Sequence, residues 1–259
     1  MSAAFTVRFL GTGTSHGVPM IGCRCATCRS TDPRDTRTRP SIAVEFPGGA
    51  RVLVDTAPDL RAQALRAGID RVDAILFTHC HADHVMGLDE IRRFNVLQAQ
   101  AVPCYGDRRT LGEIRRTFAY IFEADDEGGG VPRVRLHPVE GPFSIASREF
   151  IPVPIWHGRR SILGYRTGGF AYLTDCSGIP RESEALLEGL DTLVIDALRQ
   201  RPHPTHFTVA QAVEAASRLG PRRTYLTHIC HDLPHEATNA ALPDGIRLAH
   251  DGLTITVEG

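Results

Sequence analysis

The sequence predicts a single α/β domain, residues 1–259, in which short buried strands alternate with helices. Two observations support this prediction. Short apolar runs recur along the chain, and several of them end directly at an aspartate or a histidine. Segments with the apolar periodicity of amphipathic helices lie between those runs, and no internal repeat divides the chain. A length of 259 residues is within the range of one large domain.

The composition is typical of a soluble globular protein, with 42% hydrophobic and 23% charged residues. A formal net charge of −1 argues against a large basic surface, so we expect no large nucleic acid as a partner. The apolar run from Phe5 to Leu10 is too short for a signal peptide and is interrupted by Arg8. No apolar run approaches the length of a membrane span. We therefore expect a cytoplasmic protein without a membrane partner, whose seven cysteines are reduced.

In the first half of the chain, strands are predicted at 4–10, 41–46, 51–55, 74–77 and 102–105. Helices are predicted at 59–67, 87–100 and 111–122. The turn Pro47-Gly48-Gly49 joins two of the strands into a hairpin, and Gly68 ends the first helix. The acidic, glycine-rich segment 123–130 is predicted to be a loop.

In the second half, strands are predicted at 149–156, 163–166, 170–174, 192–195, 224–227 and 253–257. Prolines 152 and 154 place the first of these at a sheet edge, because proline cannot donate to the strand ladder. The helix 208–219 carries the clearest signals. Thr208 and Gln211 form a capping box at its start, and Gly220-Pro221 ends it.

The densest cluster of metal-binding side chains follows the strand predicted at 74–77. His79, His81, Asp83 and His84 lie within six positions. His79 and His81 are two residues apart, so an extended strand end aims both side chains the same way. One tight turn then supplies ligands to two adjacent metals. Imidazole and carboxylate ligands suit Zn, Mn or similar divalent ions.

Other predicted strands also end at a carboxylate or an imidazole side chain. These side chains are Asp55, His157, Asp175, Asp196 and His228. A histidine at a strand end followed by glycine, as in His157-Gly158, is a candidate third ligand of the first metal. Asp55 either orients a ligand histidine or caps the helix 59–67, and the sequence leaves both roles open.

A second group of candidate ligands lies near the N-terminus. Cys23, Cys25 and Cys28 form a C-x-C-x-x-C knuckle that binds Zn as thiolates. A closed structural zinc site needs four ligands, so a distant histidine or cysteine must complete the knuckle.

The stretch from His79 to His84 resembles the H-x-H-x-D-H signature of the metallo-β-lactamase superfamily. The resemblance implies an αββα sandwich, two mixed sheets flanked by helices, with the metal site at one edge. It also implies the order of the ligands along the chain. His79, His81 and His157 would hold the first metal, Asp83, His84 and His228 the second, and Asp175 would bridge both.

Further phrases resemble the phosphoribosyl cyclic phosphate phosphodiesterases of the carbon–phosphorus lyase pathway. They are Gly-Thr-Gly-Thr-Ser at 11–15, the cysteine knuckle, Thr205-His206-Phe207 and Leu-Thr-His-Ile-x-His at 226–231. This resemblance implies that His231 completes one structural Zn site with the knuckle cysteines. It implies that His206 is a general acid or phosphate contact, so Asp83 and His206 are the predicted catalytic residues.

The same resemblance implies a homodimer and a small phosphodiester substrate. That substrate would be 5-phosphoribosyl 1,2-cyclic phosphate, opened to ribose 1,5-bisphosphate by a metal-bridging hydroxide. Three arginines, Arg159, Arg160 and Arg199, are candidate anchors for a second phosphate, or plain surface charges.

Three other functions compete with this one. A tRNA 3′-processing endonuclease shares the two-metal core, but it usually adds a basic, glycine- and proline-rich arm that this sequence lacks. A cofactor-biosynthesis accessory protein with the same fold would be favoured by missing metal ligands, and all seven candidates are present here. A thioesterase or glyoxalase is not expected to carry the cysteine knuckle.

Overall fold

The computed structural model describes residues 3–123 and 130–258, which form two mixed β-sheets flanked by helices. The first strands are β1 (Phe5–Gly11), β2 (Ser41–Glu45), β3 (Arg51–Val54), β4 (Ala74–Leu76), β5 (Val102–Gly106), β6 (Val134–Pro138) and β7 (Phe143–Ile145). The others are β8 (Arg148–His157), β9 (Arg160–Thr167), β10 (Phe170–Leu173), β11 (Thr192–Asp196), β12 (Arg223–Thr227), β13 (Ile246–Leu248) and β14 (Thr254–Val257). The strand orders are β14-β1-β2-β3-β4-β5-β6 and β13-β12-β11-β10-β9-β8-β7. This confirms the predicted αββα sandwich.

The helices connect these strands. They are α1 (Leu60–Ala67), α2 (Ala82–Val85), α3 (Ile91–Gln98), α4 (Arg108–Thr117), α5 (Ala119–Glu123), α6 (Arg181–Glu184), α7 (Val209–Leu219) and α8 (His235–Ala241). Short 3₁₀ turns span Thr27–Arg29, Pro33–Asp35, Met86–Glu90 and Ala185–Leu187. Among the described residues, no helix combines the length and the apolar character needed to cross a membrane.

Three buried apolar clusters correspond to the three interfaces between layers. Phe9 and Tyr172 belong to the cluster between the two sheets. Ile75 and Ile91 belong to the cluster between the first sheet and its helices. Ala212 of α7 belongs to the cluster on the outer face of the second sheet. Because both faces of each sheet are covered, the inner strands are apolar throughout rather than alternating.

Helix α7 and strand β8 have the end residues and the edge position that the sequence predicts. Helix α7 begins at Thr208, whose side chain accepts from the Gln211 N–H in a complete capping box, and Gly220 ends it in the left-handed conformation. Strand β8 pairs with β7 only at residues 148–150. Prolines 152 and 154 therefore lie in the part of β8 that has only β9 as a neighbouring strand, as predicted.

Two predicted helices are interrupted. The segment 87–100 starts as the 3₁₀ turn Met86–Glu90, and only Ile91–Gln98 is α-helical. Gly87 lies so close to the loop after β3 that an added Cβ would be 2.0 Å from the Ala57 carbonyl oxygen. The segment 111–122 is broken at Phe118 into α4 and α5.

Other elements were not predicted, namely β6, β7, β13, α2, α6 and α8. The predicted loop at 123–130 lies mostly outside the described residues, since positions 124–129 are not among them.

The topology determines where the site forms. Strands β3 to β6 run parallel in the first sheet, and β10 to β13 run parallel in the second. In each set the carboxyl ends lie at one edge of the sheet, and side chains that follow the strands meet there.

Candidate metal centre

The residues of the candidate site lie at the carboxyl ends of strands in both sheets. Asp55 follows β3, His79 follows β4, Asp175 follows β10 and His228 follows β12. Three of them have left-handed backbones, with φ of 64° at Asp55, 60° at Asp175 and 57° at His228. Such a backbone costs a residue other than glycine on the order of 1–3 kcal/mol, and it clusters at functional sites. The folded chain therefore holds these three residues in strained backbone conformations that direct their side chains into the site.

The first group of side chains contains His79, His81, His157 and Asp175. Their candidate ligand atoms all lie within 4.8 Å of one another. His79 Nε2 lies 2.9 Å from His81 Nδ1 and 3.4 Å from Asp175 Oδ2. His157 Nδ1 lies 2.9 Å from the carbonyl oxygens of both Asp175 and Thr205, which makes Nδ1 the donor and leaves Nε2 available to a metal.

The second group contains Asp83, His84, His228 and again Asp175, within the same 4.8 Å. Asp175 Oδ1 lies 3.1 Å from His84 Nε2 and 3.2 Å from His228 Nε2. Asp83 Oδ2 lies 3.4 Å and 3.5 Å from the same two nitrogens. The two oxygens of Asp175 therefore face different groups, which is the geometry of a bridging carboxylate.

The residues fit two divalent cations. His84 Nε2 and both ring nitrogens of His228 are buried and have no hydrogen-bond partner. An unpaired buried polar atom costs about 1–3 kcal/mol, so such atoms call for a ligand. Ligand atoms about 2.0–2.2 Å from a tetrahedral zinc ion lie about 3.3–3.6 Å from one another. The separations of 3.1 to 3.5 Å between the ring nitrogens and carboxylate oxygens of the second group are close to this spacing.

Burial keeps the first three histidines neutral. It lowers the pKa of both His81 and His157 to about 4, and it also lowers the pKa of His79. Only a neutral imidazole has a lone pair to give to a metal. These histidines are therefore ready to bind a cation at neutral pH.

The carboxylates supply the negative charge that a cation needs. Burial by itself would raise the pKa of Asp175, but the imidazoles of His228, His84 and His79 outweigh it and hold that pKa well below its usual range. Burial also opposes ionisation of Asp83, and His84 is the main group that lowers the pKa of this carboxyl. Two buried carboxylates beside histidine rings form a site that attracts divalent cations, and the same negative charges outweigh burial and raise the pKa of His84.

Asp55 holds the second group in place. Its carboxylate lies 2.7 Å from His84 Nδ1 and accepts hydrogen bonds from the backbone N–H and the hydroxyl of Thr78, both at 2.8 Å. Asp55 therefore orients a candidate ligand histidine. The alternative role is excluded, because the Leu60–Ala67 helix has Asp59 rather than Asp55 at its N-cap.

Asp55→Asn should weaken metal binding at the second group about 10- to 100-fold, since the partner of a ligand histidine typically contributes this much. Asparagine tolerates the left-handed backbone, so the fold should persist. Competition with a chromophoric zinc chelator measures the affinity. Asp59→Asn is the matched control, because Asp59 pairs with Arg39 at 3.1 Å outside the centre. Wild-type affinity in Asp55→Asn would show that Asp55 has no such role.

The cysteine knuckle and His231 form a separate group, although 203 to 208 positions separate them in the chain. The thiol sulfurs of Cys23, Cys25 and Cys28 lie 3.2, 3.4 and 3.7 Å from His231 Nδ1. In a tetrahedral zinc site, sulfur and nitrogen ligands are about 3.6 Å apart. A hydrogen bond from the Cys28 N–H lowers the pKa of Cys25 to about 6, which favours its thiolate. These four residues fit one zinc ion.

His206 lies beside both groups. Its ring is centred 4.9 Å from that of His157 and is stacked 4.7 Å from that of His228. His206 Nδ1 lies 2.7 Å from Oδ2 of the fully buried Asp196. Burial raises the pKa of Asp196 and lowers that of His206, so it disfavours the charged form of both members of the pair. His206 Nε2 remains free to exchange a proton with a bound molecule.

The structure thus brings together all the candidate ligands named from the sequence, in three groups. Two supporting residues had no assigned role. From the sequence, Asp196 is only a carboxylate at a strand end, and Thr78 links Asp55 to the turn that carries His79. The recurrence of aspartates at strand ends was the signal for Asp196, but its partner His206 is ten residues away and is placed by a loop.

A model of the beta-lactamase superfamily domain matches residues 50–229. A crystal structure described as a new diphosphatase from the PhnP family is similar over 100% of this chain and 99% of its own, with 48% identity and a TM-score of 0.93. The structure of Zn²⁺-bound PqqB from Methylobacterium extorquens covers 96% of this chain and 99% of its own, with 21% identity and a TM-score of 0.80, which indicates a shared fold.

Among curated relatives, an octanoyltransferase from Porphyromonas gingivalis is 40% identical over 253 residues. The alignment covers 96% of this chain and 51% of the relative. The chain therefore spans about half the length of that protein.

Proposed function

The chain belongs to the metallo-β-lactamase superfamily and is a metal-dependent hydrolase, and we propose that it is a two-metal phosphodiesterase acting on a small cyclic phosphate. One observation carries this proposal. Asp175 directs one carboxylate oxygen at His79 and the other at His84 and His228, so it can bridge two cations. Two divalent cations at this place would activate a water molecule and neutralise charge on the phosphate.

His79, His81 and His157 would hold the first cation, and Asp83, His84 and His228 the second, with Asp175 shared. The fixed positions of these side chains set where the phosphorus atom of a substrate lies. Their burial limits competing water at the reacting group. The Cys23, Cys25, Cys28 and His231 site would hold a zinc ion that fixes the N-terminal loop beside the strand that precedes His228.

His206 would donate a proton to the leaving oxygen. Ring opening of a cyclic phosphate expels an alkoxide, which needs a proton as the P–O bond breaks. Asp196 holds the His206 ring through Nδ1, so that Nε2 carries the transferable proton. Asp196 does not contact the substrate in this scheme; it positions His206.

Asp196→Asn should lower kcat about 100-fold and change KM little, because it replaces the carboxyl group that contacts His206 Nδ1 and orients the acid. The double variant Asp196→Asn/His206→Ala should be no slower than His206→Ala alone, since both residues act through one proton. Steady-state kinetics on a phosphodiester with a poor leaving group measures both effects. Additive losses in the double variant would contradict the coupling.

The favoured substrate is 5-phosphoribosyl 1,2-cyclic phosphate, opened to ribose 1,5-bisphosphate. The sequence phrases in the N-terminal loop, in the cysteine knuckle and at 226–231 support this substrate, because they resemble those of the phosphoribosyl cyclic phosphate phosphodiesterases. The 48% identity to a PhnP-family protein supports it as well. That relative is described as a diphosphatase, so a diphosphate is the second candidate substrate. Both substrates present a phosphoryl group to the cations and an oxygen leaving group to His206.

The other functions have less support. All seven candidate ligands of the two-metal centre are in place, which disfavours a non-catalytic accessory role. A tRNA nuclease would need a basic surface, and the formal net charge is −1. Octanoyltransferase activity is not proposed for this chain, because the chain spans only about half the length of that relative. The homodimer stays a prediction.

A hydrolysis panel on metal-quantified enzyme tests the proposal. It compares a generic phosphodiester, a cyclic ribose phosphate, a diphosphate, a glutathione thioester and a tRNA precursor. Turnover of the phosphodiesters, with thioester and tRNA intact, is the expected result. Turnover of tRNA or thioester alone would overturn it.

A further inference from the structure

Arg37 has a fully buried guanidinium, and only 1% of the residue is exposed. Its Nε donates to the Arg34 carbonyl at 3.3 Å, and its Nη atoms donate to the carbonyls of Cys230 at 2.9 Å and Leu233 at 2.6 Å. One Nη also donates to Asp35 Oδ1 at 3.0 Å. Four of the five N–H groups are therefore in use. A buried charge of this kind requires both an ionic partner and hydrogen bonds.

These bonds hold the loop that carries His231. The two carbonyl groups that accept from the Arg37 Nη atoms belong to the residue before His231 and to the second residue after it. Asp35 extends the contact, because the same Oδ1 accepts from the His235 N–H at 2.8 Å, at the start of α8. The side chain of Arg37 thus fixes the chain on both sides of a candidate zinc ligand.

The main chain of Arg37 holds the other half of the zinc site. Its N–H donates to the Val18 carbonyl at 2.7 Å, and its carbonyl accepts from the Val18 N–H at 2.8 Å. These bonds close the segment 18–37 at its base, and the three knuckle cysteines lie within that segment. One residue therefore joins the two distant parts of the chain that supply the four candidate zinc ligands.

The loop that Arg37 holds begins at His228, a candidate ligand of the second cation. A ligand histidine usually donates its second ring nitrogen to a carboxylate or a carbonyl, which fixes the ring. His84 has Asp55 for this purpose, and His157 has backbone carbonyls. Within the described part of the chain, His228 Nδ1 has no such partner. The orientation of this ring therefore depends on neighbouring rings and on its own backbone, which is strained at a φ of 57°.

A second contact links Arg37 to the residue that follows His228. The Ile229 N–H donates to the Thr12 carbonyl at 2.9 Å. The next residue of that N-terminal loop, Gly13, packs so tightly on Arg37 that an added Cβ would lie 2.8 Å from the Arg37 carbonyl oxygen. The backbone after His228 is thus restrained from two sides by segments that contact Arg37.

We propose that Arg37 is a positioning residue for two metal sites. It holds the loop from His228 to Leu233 so that His231 faces the knuckle cysteines and His228 faces the second cation. This inference rests on the metal sites of the proposed function and not on any substrate. Loss of Arg37 should therefore weaken metal binding at both sites, whereas loss of a knuckle cysteine empties only one.

Arg37→Met, which has no charge and no donor, should lower the metal affinity of the knuckle about 10- to 100-fold, the usual effect of losing a group that positions a ligand. Enzyme loaded with Co²⁺ is titrated with a chelator in the absence of substrate. Thiolate-to-cobalt absorption reports the knuckle alone, because the candidate active-site ligands include no thiolate.

The second cation is measured in the Cys25→Ser background, in which the knuckle is empty. Elemental analysis at graded chelator concentrations follows the two active-site metals. Adding Arg37→Met should weaken the binding of one of them about 10-fold. The other should stay close to its background affinity, since His79, His81 and His157 lie outside the loop. This result would show that Arg37 acts on the loop directly and not through the knuckle ion.

Arg34→Met is the matched control. Arg34 lies in the same turn and pairs with Asp32 and Glu236, both at 2.8 Å, and its carbonyl stays available to Arg37 in the variant. It should keep the wild-type affinity at both sites. Arg37→Lys keeps the buried charge but reaches fewer acceptors, so its losses should be smaller than those of Arg37→Met.

A purely structural Arg37 would lower the unfolding midpoint and leave both affinities unchanged. Wild-type affinity at either site in a folded Arg37→Met protein would therefore overturn the assignment, as would an equal loss in Arg34→Met. If Arg37→Met does not fold, wild-type affinity at either site in Arg37→Lys would overturn it in the same way. Absence of all hydrolysis, with the affinity losses intact, would refute only the proposed function.

Discussion

Asp175→Ala should remove one of the two active-site metals and lower turnover more than about 1,000-fold. Among the described residues, only the Asp175 carboxylate faces both groups of histidines. Its Oδ2 lies 3.4 Å from His79 Nε2, and its Oδ1 lies 3.1 Å from His84 Nε2. Loss of the shared ligand removes the charge stabilisation that two cations give to a phosphoryl transition state. Elemental analysis and phosphodiester hydrolysis measure the two effects.

Asp191→Asn is a suitable control for this variant. Asp191 also lies beside a strand of the second sheet, but it pairs with Arg222 and Arg223 and belongs to none of the candidate metal groups. It should keep the wild-type metal content and turnover. Full activity in Asp175→Ala would remove the two-metal mechanism.

Cys25→Ser should lose one metal per chain and lower the free energy of unfolding by about 3 kcal/mol, while the loaded active site keeps its chemistry. The knuckle joins residues near the N-terminus to His231, and a zinc ion that binds only this assembled site would stabilise the native state over the unfolded chain. Urea unfolding followed by circular dichroism, with elemental analysis, measures both changes.

Cys80→Ser is the control for the knuckle. Cys80 is a half-buried free thiol that belongs to none of the candidate metal groups, so its variant should keep every metal and the wild-type unfolding midpoint. A Cys25→Ser protein that lacks one metal yet unfolds at the wild-type midpoint would refute the structural role of the knuckle.

The sequence predicted the parts of the site that depend on local spacing. The turn from His79 to His84 follows a short apolar strand, and that spacing places its ligands at the strand end whatever the distant packing. Helix α7 was predicted with its cap because the Thr208 and Gln211 signal lies within one turn. The resemblance supplied the distant ligands His157 and His228.

The remaining features depend on contacts between distant segments. Asp55 had two open roles, and only its contact with His84, 29 positions away, decides between them. Asp196 can position His206 only because a loop brings the His206 ring into contact with its carboxyl group. The left-handed backbones at Asp55 and Asp175 are enforced by packing, since aspartate has only a weak preference for that conformation.

The short elements were missed for a different reason. Strand β6 has the burial pattern of an exposed sheet edge, and β7 has three residues, so neither leaves an apolar run long enough to recognise.

The most direct test of the account is the turnover of 5-phosphoribosyl 1,2-cyclic phosphate by metal-quantified enzyme, followed by ³¹P NMR. The cyclic phosphate resonance should be replaced by one new monoester resonance when both active-site metals are bound. No reaction should occur when a chelator has removed those two metals and left the knuckle ion in place. Unchanged substrate with the fully loaded enzyme, or full turnover with a single active-site metal, would contradict it.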